Sequence, residues 1–229
     1  MTDHLSGIAG PDDLRRLHHA DPDRYPFLLQ STAPDVGLGR FDILFAFPGQ
    51  SLELRSDGQL VGHCADRSGT FLAALDTWWA QDRCASRPTE IPFLGGWFLF
   101  LGYELAAQIE PGLSLKEDTI LPAAFAVRCE TALVYDHRSG ECLLVCETAQ
   151  CPGREQLLAD IAALDRDRST EPVVLTEVQD QPPQHFTEAV LRAKEYISAG
   201  DIYQANLSRQ WSAAVAGSVA ASDIYASLC

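Results

Sequence analysis

The chain has 229 residues, 46% of them hydrophobic, which suffices for one large domain or for one domain plus part of another. Its 17 Lys and Arg stand against 32 Asp and Glu, and the formal charge of -15 repels phosphate backbones and anionic headgroups, so nucleic acid and membrane surfaces are not expected partners. The N-terminus lacks a basic start followed by an apolar core, and no run of about 18 apolar residues could span a bilayer, so a cytoplasmic protein is expected.

After a short polar lead-in, RYPFLLQS (Arg24 to Ser31) is an apolar run bounded by Pro22 and a turn-rich segment, which reads as a buried strand. In RFDILFAFP, Phe41, Ile43, Phe45 and Phe47 alternate with Asp42, Leu44 and Ala46, the period of two that sends alternate side chains to opposite sheet faces. SLELRSDGQLVGHC predicts two short antiparallel strands joined through Asp57-Gly58 in a type I′ turn. TFLAALDTWWAQDR places Phe71, Leu75, Trp78 and Trp79 at helical spacing, and these aromatics are expected in the core.

IPFLGGWFLFLGYELAAQIEP is too rich in glycine for a stable helix and reads as a central strand with close backbone approaches. AAFAVRCETALVYDHRSGECLLVCE predicts a second hairpin turning at DHRSGE, followed by a helix with Leu157, Leu158, Ile161 and Leu164 on one stripe. Residues 166–185 are charged and Pro-bearing, and predict a linker. A helix should follow, capped by Thr187, with Phe186 and Leu191 as a hydrophobic staple and Gly200 as its stop. A strand is then expected across GDIYQANLSRQW, with Gln204, Asn206 and Ser208 on one face and Tyr203, Leu207 and Trp211 on the other; Ser222 or Asp223 should cap a last helix. The sum is an α+β fold of antiparallel, sandwich-like sheets with flanking helices.

Seven cysteines (Cys64, Cys84, Cys129, Cys142, Cys146, Cys151 and Cys229) form no paired framework, so reduced thiols are expected. Cys142, Cys146 and Cys151 lack the spacing of a zinc knuckle, and no metal site is expected there. The six histidines lie mostly in polar, loop-like contexts and read as surface residues. No phosphate loop, G-x-G-x-x-G, H-E-x-x-H or G-x-S-x-G occurs, and no carboxylate pair demands acid/base work. The polar row of Gln204, Asn206 and Ser208 reads equally as a pocket wall or as a wet strand face.

FTEAVLRAKEYISAGDIYQANLSRQW resembles the opening of the chorismate-binding domain shared by anthranilate synthase component I and aminodeoxychorismate synthase component I. FLGGWFLFLGYEL resembles the glycine-rich segment of their N-terminal region, and FLLQS with GRFDIL resembles the strand-loop-strand near its start. RFDIL and QANLS are more similar to the para-aminobenzoate branch than to the tryptophan branch. The resemblance implies an anthranilate synthase component I-like N-terminal domain over residues 1–165, a linker over 166–185 and the start of a chorismate-binding domain over 186–229.

It also implies amination of chorismate to 4-amino-4-deoxychorismate in folate biosynthesis, with ammonia from a glutamine amidotransferase subunit and Mg²⁺ at the chorismate carboxylate. The family's catalytic lysine and acidic metal ligands belong to motifs not found in these 229 residues, so no catalytic or metal-binding residue is carried over and the chain alone is expected to be inactive. What transfers is a tryptophan-type pocket that would use Gln30, Ser31, Arg40, Phe41, Tyr203, Asn206 and Ser208, with Gln30 where the family often has Glu, a change that removes an ionic partner for an amino group. Rival readings are anthranilate synthase component I and a non-catalytic module that binds an amino acid or docks an amidotransferase. Apolar residues such as Leu207 and Trp211 are expected to be exposed, and the chain beyond Gly200 to be poorly ordered.

Overall fold

The period-two pattern of RFDILFAFP sends one face of its strand into a core between two sheets and the other into a core beneath helices. In the computed structural model, which describes residues 2–31, 39–67, 69–84, 89–113, 115, 120–166 and 173–228, the elements run β1 (Thr2–His4), α1 (Pro11–Ala20), β2 (Phe27–Leu29), β3 (Phe41–Ala46), β4 (Ser51–Leu54), β5 (Leu60–Gly62) and α2 (Phe71–Asp82). They continue as β6 (Gly96–Leu101), α3 (Ala106–Ile109), β7 (Ala124–Cys129), β8 (Thr131–Asp136), β9 (Glu141–Cys146), α4 (Arg154–Ala162), β10 (Leu175–Asp180), α5 (Pro183–Ala199), β11 (Trp211–Val215) and α6 (Ala221–Leu228). Two units result, residues 1–168 and 169–229. Among the described residues no helix is long and apolar enough to cross a membrane.

The first unit holds two antiparallel sheets, one in the order β1-β9-β8-β3-β2 and one in the order β5-β4-β7-β6. Their facing sides meet through aromatic rings: Phe27 of β2 stacks on Phe98 of β6 at 4.0 Å, and Phe45 of β3 meets Phe98 edge-on at 5.4 Å. Leu44 and Ala46, on the other side of β3, join Leu133 and Leu144 beneath Leu14 and Leu17 of α1 and Leu157 and Ile161 of α4. Phe71, Ala74 and Trp78 of α2 pack likewise on Leu52, Leu54, Ala124 and Ala126 of the second sheet. The order helix, sheet, sheet, helix buries both faces of the central strands, while Leu99 and Leu101 of β6 stay exposed, and each fully buried large side chain contributes about 2–3 kcal/mol.

Several expectations change in the structure. The N-terminal lead-in forms β1, paired with β9, and α1, which starts with Pro11 in its first turn followed by Asp12 and Asp13. The turn after β4 is a three-residue loop closed by Arg55 N–H donating to Gln59 O at 2.9 Å, with Gly58 left-handed at φ 81° and the Asp57 carboxylate accepting from Gln59 N–H at 2.9 Å. A single left-handed position thus suffices where the type I′ turn needs two. Trp79 is 47% exposed while its neighbour Trp78 is fully buried, because the α2 face toward the sheet is narrower than the apolar stripe of the sequence. Among the described residues β6 is an edge strand paired only with β7, and the run after Ala123 is three strands, with Glu130 alone carrying the chain from one sheet to the other. Cys146 and Cys151 form a disulfide, with Cα atoms 5.3 Å apart, so these two are not the reduced thiols expected. The turn-rich stretch at 32–38 and Cys229 lie outside the described residues.

In the second unit, β10 pairs antiparallel with β11, so residues 175–180 of the expected linker form a strand. The segment 202–210 is not a strand: among the described residues nothing forms a ladder with it, and alternation without a partner leaves backbone groups to water. α5 begins four residues before Thr187, which sits inside it and donates its hydroxyl back to Gln184 O at 2.9 Å, so Pro183 rather than a Thr cap starts the helix. Gly200 ends it in the left-handed region at φ 81°, with its N–H on Ile197 O and that of Asp201 on Tyr196 O. Ser222 and Asp223 lie within the first turn of α6, where the Asp223 carboxylate reaches back to Ala220 N–H at 3.3 Å. Leu207 and Trp211 are exposed, as expected.

Candidate functional site

Asp42 is the only acidic side chain on the helix-covered face of β3, and it is 1% exposed. A carboxylate taken that far from water must be hydrogen-bonded. Its Oδ1 accepts from the Ser31 N–H at 2.9 Å, its Oδ2 accepts from Gln30 Nε2–H at 3.1 Å, and His137 Nε2 lies 2.9 Å from Oδ1. The sheet register assembles the group, since Leu29 of β2 pairs with Ile43, and Asp42 pairs with Tyr135 of β8, two residues before His137.

Arg40, just before β3, makes the adjoining pair. Its Nε and Nη2 donate to the Asp136 carboxylate at 3.1 and 2.8 Å, its Nη1 donates to Glu90 at 2.9 Å, and its guanidinium lies 4.6 Å from the Phe41 ring centre. The bidentate guanidinium holds the Asp136 carboxyl below the usual carboxylate range, outweighing the effect of burial, and in turn the Arg40 guanidinium is raised. Gln30 Oε1 and His137 Nε2 are buried without a hydrogen bond among the described residues; the His137 contact to Asp42 is close in distance but not aligned as one.

Four of the expected pocket residues, Gln30, Ser31, Arg40 and Phe41, thus come together around Asp42 and Asp136. Tyr203, Asn206 and Ser208 lie in the second unit as exposed residues of a segment without regular structure; Tyr203 is 95% exposed and Asn206 accepts a local hydrogen bond from Gln204 at 3.2 Å. Sequence reasoning missed Asp42, Asp136 and His137, although a lone carboxylate on the apolar side of β3 was a signal. His137 is mostly buried rather than a surface residue, because the β8-β9 turn folds it against Tyr135, with ring centres 5.1 Å apart. The arrangement offers an orphan carbonyl acceptor in a rigid polar frame, which suits binding; it holds no nucleophile paired with a base.

A family model of chorismate binding enzymes matches residues 16–229. The chain belongs to this family. An anthranilate synthase component I-like protein of Synechocystis sp. is 35% identical over 124 residues, covering 53% of this chain and 25% of that protein. Anthranilate synthase component 1 of Streptomyces coelicolor is 30% identical over 83% of this chain and 39% of its own length. For aminodeoxychorismate synthase component 1 of Escherichia coli the figures are 27%, 88% and 44%.

The crystal structure of anthranilate synthase component I from Streptococcus pneumoniae superposes with a TM-score of 0.56 at 24% identity, over 99% of this chain and 52% of that one, a likeness of fold. The chorismate-binding family chain therefore has the α+β fold expected for it, and it spans less than half the length of these curated relatives.

Proposed function

We propose that the chain is the N-terminal portion of an aminodeoxychorismate synthase component I, which in the cytoplasm adds ammonia to chorismate to give 4-amino-4-deoxychorismate for folate synthesis. A glutamine amidotransferase subunit would supply the ammonia, and Mg²⁺ would neutralise charge at the chorismate carboxylate. Among the described residues no group of three or more His, Cys, Asp or Glu is placed to hold a metal ion, so no step is assigned to Mg²⁺ on these residues.

The branch rests on one observation. Asp42, the central residue of RFDIL, is a buried carboxylate that organises Gln30 and Ser31. A residue so bound cannot be exchanged without rebuilding the pocket, so its identity is informative about which branch the pocket serves. The second reading, anthranilate synthase component I, is favoured by relatives of that name in Streptomyces coelicolor and in Bacillus caldotenax, at 30% and 28% identity.

Incubating the full-length enzyme with chorismate, Mg²⁺ and ammonium and identifying the product by mass spectrometry tests the assignment. 4-Amino-4-deoxychorismate is the expected product, and anthranilate would move the protein to the other branch. The 229-residue chain should give neither. We further infer that the Gln30 cluster receives the ammonium group of an amino acid such as tryptophan, Gln30 Oε1 being an acceptor left open among the described residues. Calorimetry should show weak tryptophan binding that Gln30→Glu tightens, because a charged acceptor roughly doubles such a bond. Equal affinity in both proteins would remove Gln30 from the site.

A further inference from the structure

We propose that Cys146 and Cys151 form a redox-responsive latch on the strap that joins the two sheets. The strap is Glu147. It follows β9 in the first sheet, yet its side chain is 11% exposed and its carboxylate lies against the second sheet, where Nη2 of Arg128 on β7 donates to both its oxygens at 2.5 and 2.6 Å. Arg128 is fixed in turn by donating Nη1–H to Gly96 O at 2.7 Å and by lying 4.6 Å from the Trp97 ring centre. Cys84, following α2, donates its thiol to Glu147 Oε1 at 3.1 Å. β7 and the end of α2 thus meet on one carboxylate carried just beyond β9, and β6 fixes the arginine that holds it.

The disulfide closes the turn that carries this carboxylate, with only four residues between the two cysteines. Within it Glu147 N–H donates to Glu130 O at 2.9 Å and Thr148 Oγ1 donates to Gln150 O at 2.7 Å. Opening the bond leaves Glu147 held by its own contacts, on a turn that has regained the freedom of an unlinked loop.

Cys64, Cys84, Cys129 and Cys142 remain free thiols in the same chain. Unpaired thiols beside a single bridge fit a reducing compartment, in which a disulfide is a state to be entered and left rather than a permanent staple. Burial pushes the Cys129 and Cys142 thiols up to about 11 and about 12, and the Glu147 carboxylate raises that of Cys84, so these three are poor nucleophiles and do not compete. Cys146 is buried, while Cys151 is partly exposed and is the sulfur that can be attacked.

Opening is a thiol-disulfide exchange with a dithiol reductant. One thiolate of the reductant bonds to Cys151 Sγ and Cys146 leaves as thiolate, taking up a proton. The second thiol of the reductant then displaces Cys151, so the two electrons gained by the pair are those lost as the reductant becomes a disulfide.

The test uses the chain in oxidised and reduced dithiothreitol and in glutathione buffers. Peptide mapping with alkylation should find Cys146 linked to Cys151 in the oxidised protein and both free after reduction, with the bond re-forming on reoxidation. Reduction should lower Tm by roughly 4–8 °C and speed amide exchange over residues 147–153 by roughly tenfold to fortyfold. Cys151→Ser should match the reduced protein and ignore reductant. If that variant does not fold, the wild-type chain with and without reductant carries the comparison. A different cysteine pairing, a bond that survives reducing glutathione and dithiol together, or identical Tm and exchange in both states would overturn the proposal.

Discussion

Replacing Asp42 by Asn keeps the shape of the side chain and removes its charge, so it isolates what the carboxylate does in the cluster. Two donors, Ser31 N–H and Gln30 Nε2–H, point at its two oxygens at 2.9 and 3.1 Å. An amide can accept one of them and must present its own N–H groups to the other. One charge-assisted bond, about 1.5–3 kcal/mol, is lost and the second falls to the strength of a neutral one. The relief from no longer burying a charge works in the opposite direction but leaves the mismatched donor unsatisfied. The net expectation is a loss of about 2–4 kcal/mol, seen as a lower urea midpoint with an unchanged slope and a fall in Tm of roughly 5–15 °C. Gln30→Ala removes one charge-assisted bond and leaves the Ser31 contact, so it should cost about 1.5–3 kcal/mol. A change below about 0.5 kcal/mol for Asp42→Asn would show that the carboxylate does not hold the turn, and the pocket assignment would fall with it.

Trp78→Ala should cost about 3–5 kcal/mol, because the ring is fully buried and its Nε1–H donates to Asp82 at 2.8 Å, whereas half-exposed Trp79→Ala should cost no more than about 1 kcal/mol; urea denaturation of both variants distinguishes the stripe of the sequence from the face of the fold. Gly95→Ala should destabilise by about 1–3 kcal/mol in the same assay, since φ is 119° and a Cβ would meet the Glu147 carboxylate at 2.5 Å. The Asp136 carboxyl is held low by Arg40, so its contribution to stability is complete above the unfolded carboxylate value of about 3.9 and is lost as pH falls through the lower folded value. In Arg40→Gln the Asp136 pKa measured by NMR should rise toward the ordinary range, and acid unfolding should lose that dependence; an unmoved pKa would refute the pairing.

The parts of the fold that could be read in the sequence are those where one strand or helix carries its own periodicity. β3 is the clearest case, with Ile43 and Phe45 facing the sheet-sheet core and Leu44 and Ala46 facing the helices. α1 is equally marked, by Pro11 and two aspartates at its start and two histidines at its end, but its buried apolar stripe is only Leu14 and Leu17, too short to display a helical period. The change of sheet at Glu130 had no signal, because a single residue linking two strands in different sheets needs no glycine, proline or Asx turn. GDIYQANLSRQW shows the converse. Its alternation is as regular as that of β3, yet a strand is a property of a pair, and the ladder with β10 begins only at Trp211.

The site divides along the same line. Gln30, Ser31, Arg40 and Phe41 were reached through short segments that resemble a family, whereas their partners Asp42, Asp136 and His137 depend on the β3-β8 register, which no local pattern encodes. That register also sets how the charges of the cluster are paired. Pairing Phe41 with Asp136 ties the cation of Arg40 to a carboxylate, and pairing Asp42 with Tyr135 puts His137 beside the other. The Arg40 cation is matched by Asp136 and the Asp42 carboxylate by the donors of Ser31 and Gln30, and among the described residues the neutral carbonyl of Gln30 is left without a donor. A glutamate at that position would add a second buried anion next to Asp42, which is tolerable only when a cationic ligand compensates it. Gln30 adds no such charge beside Asp42, and that is the physical basis of the proposed weak hold on an ammonium group.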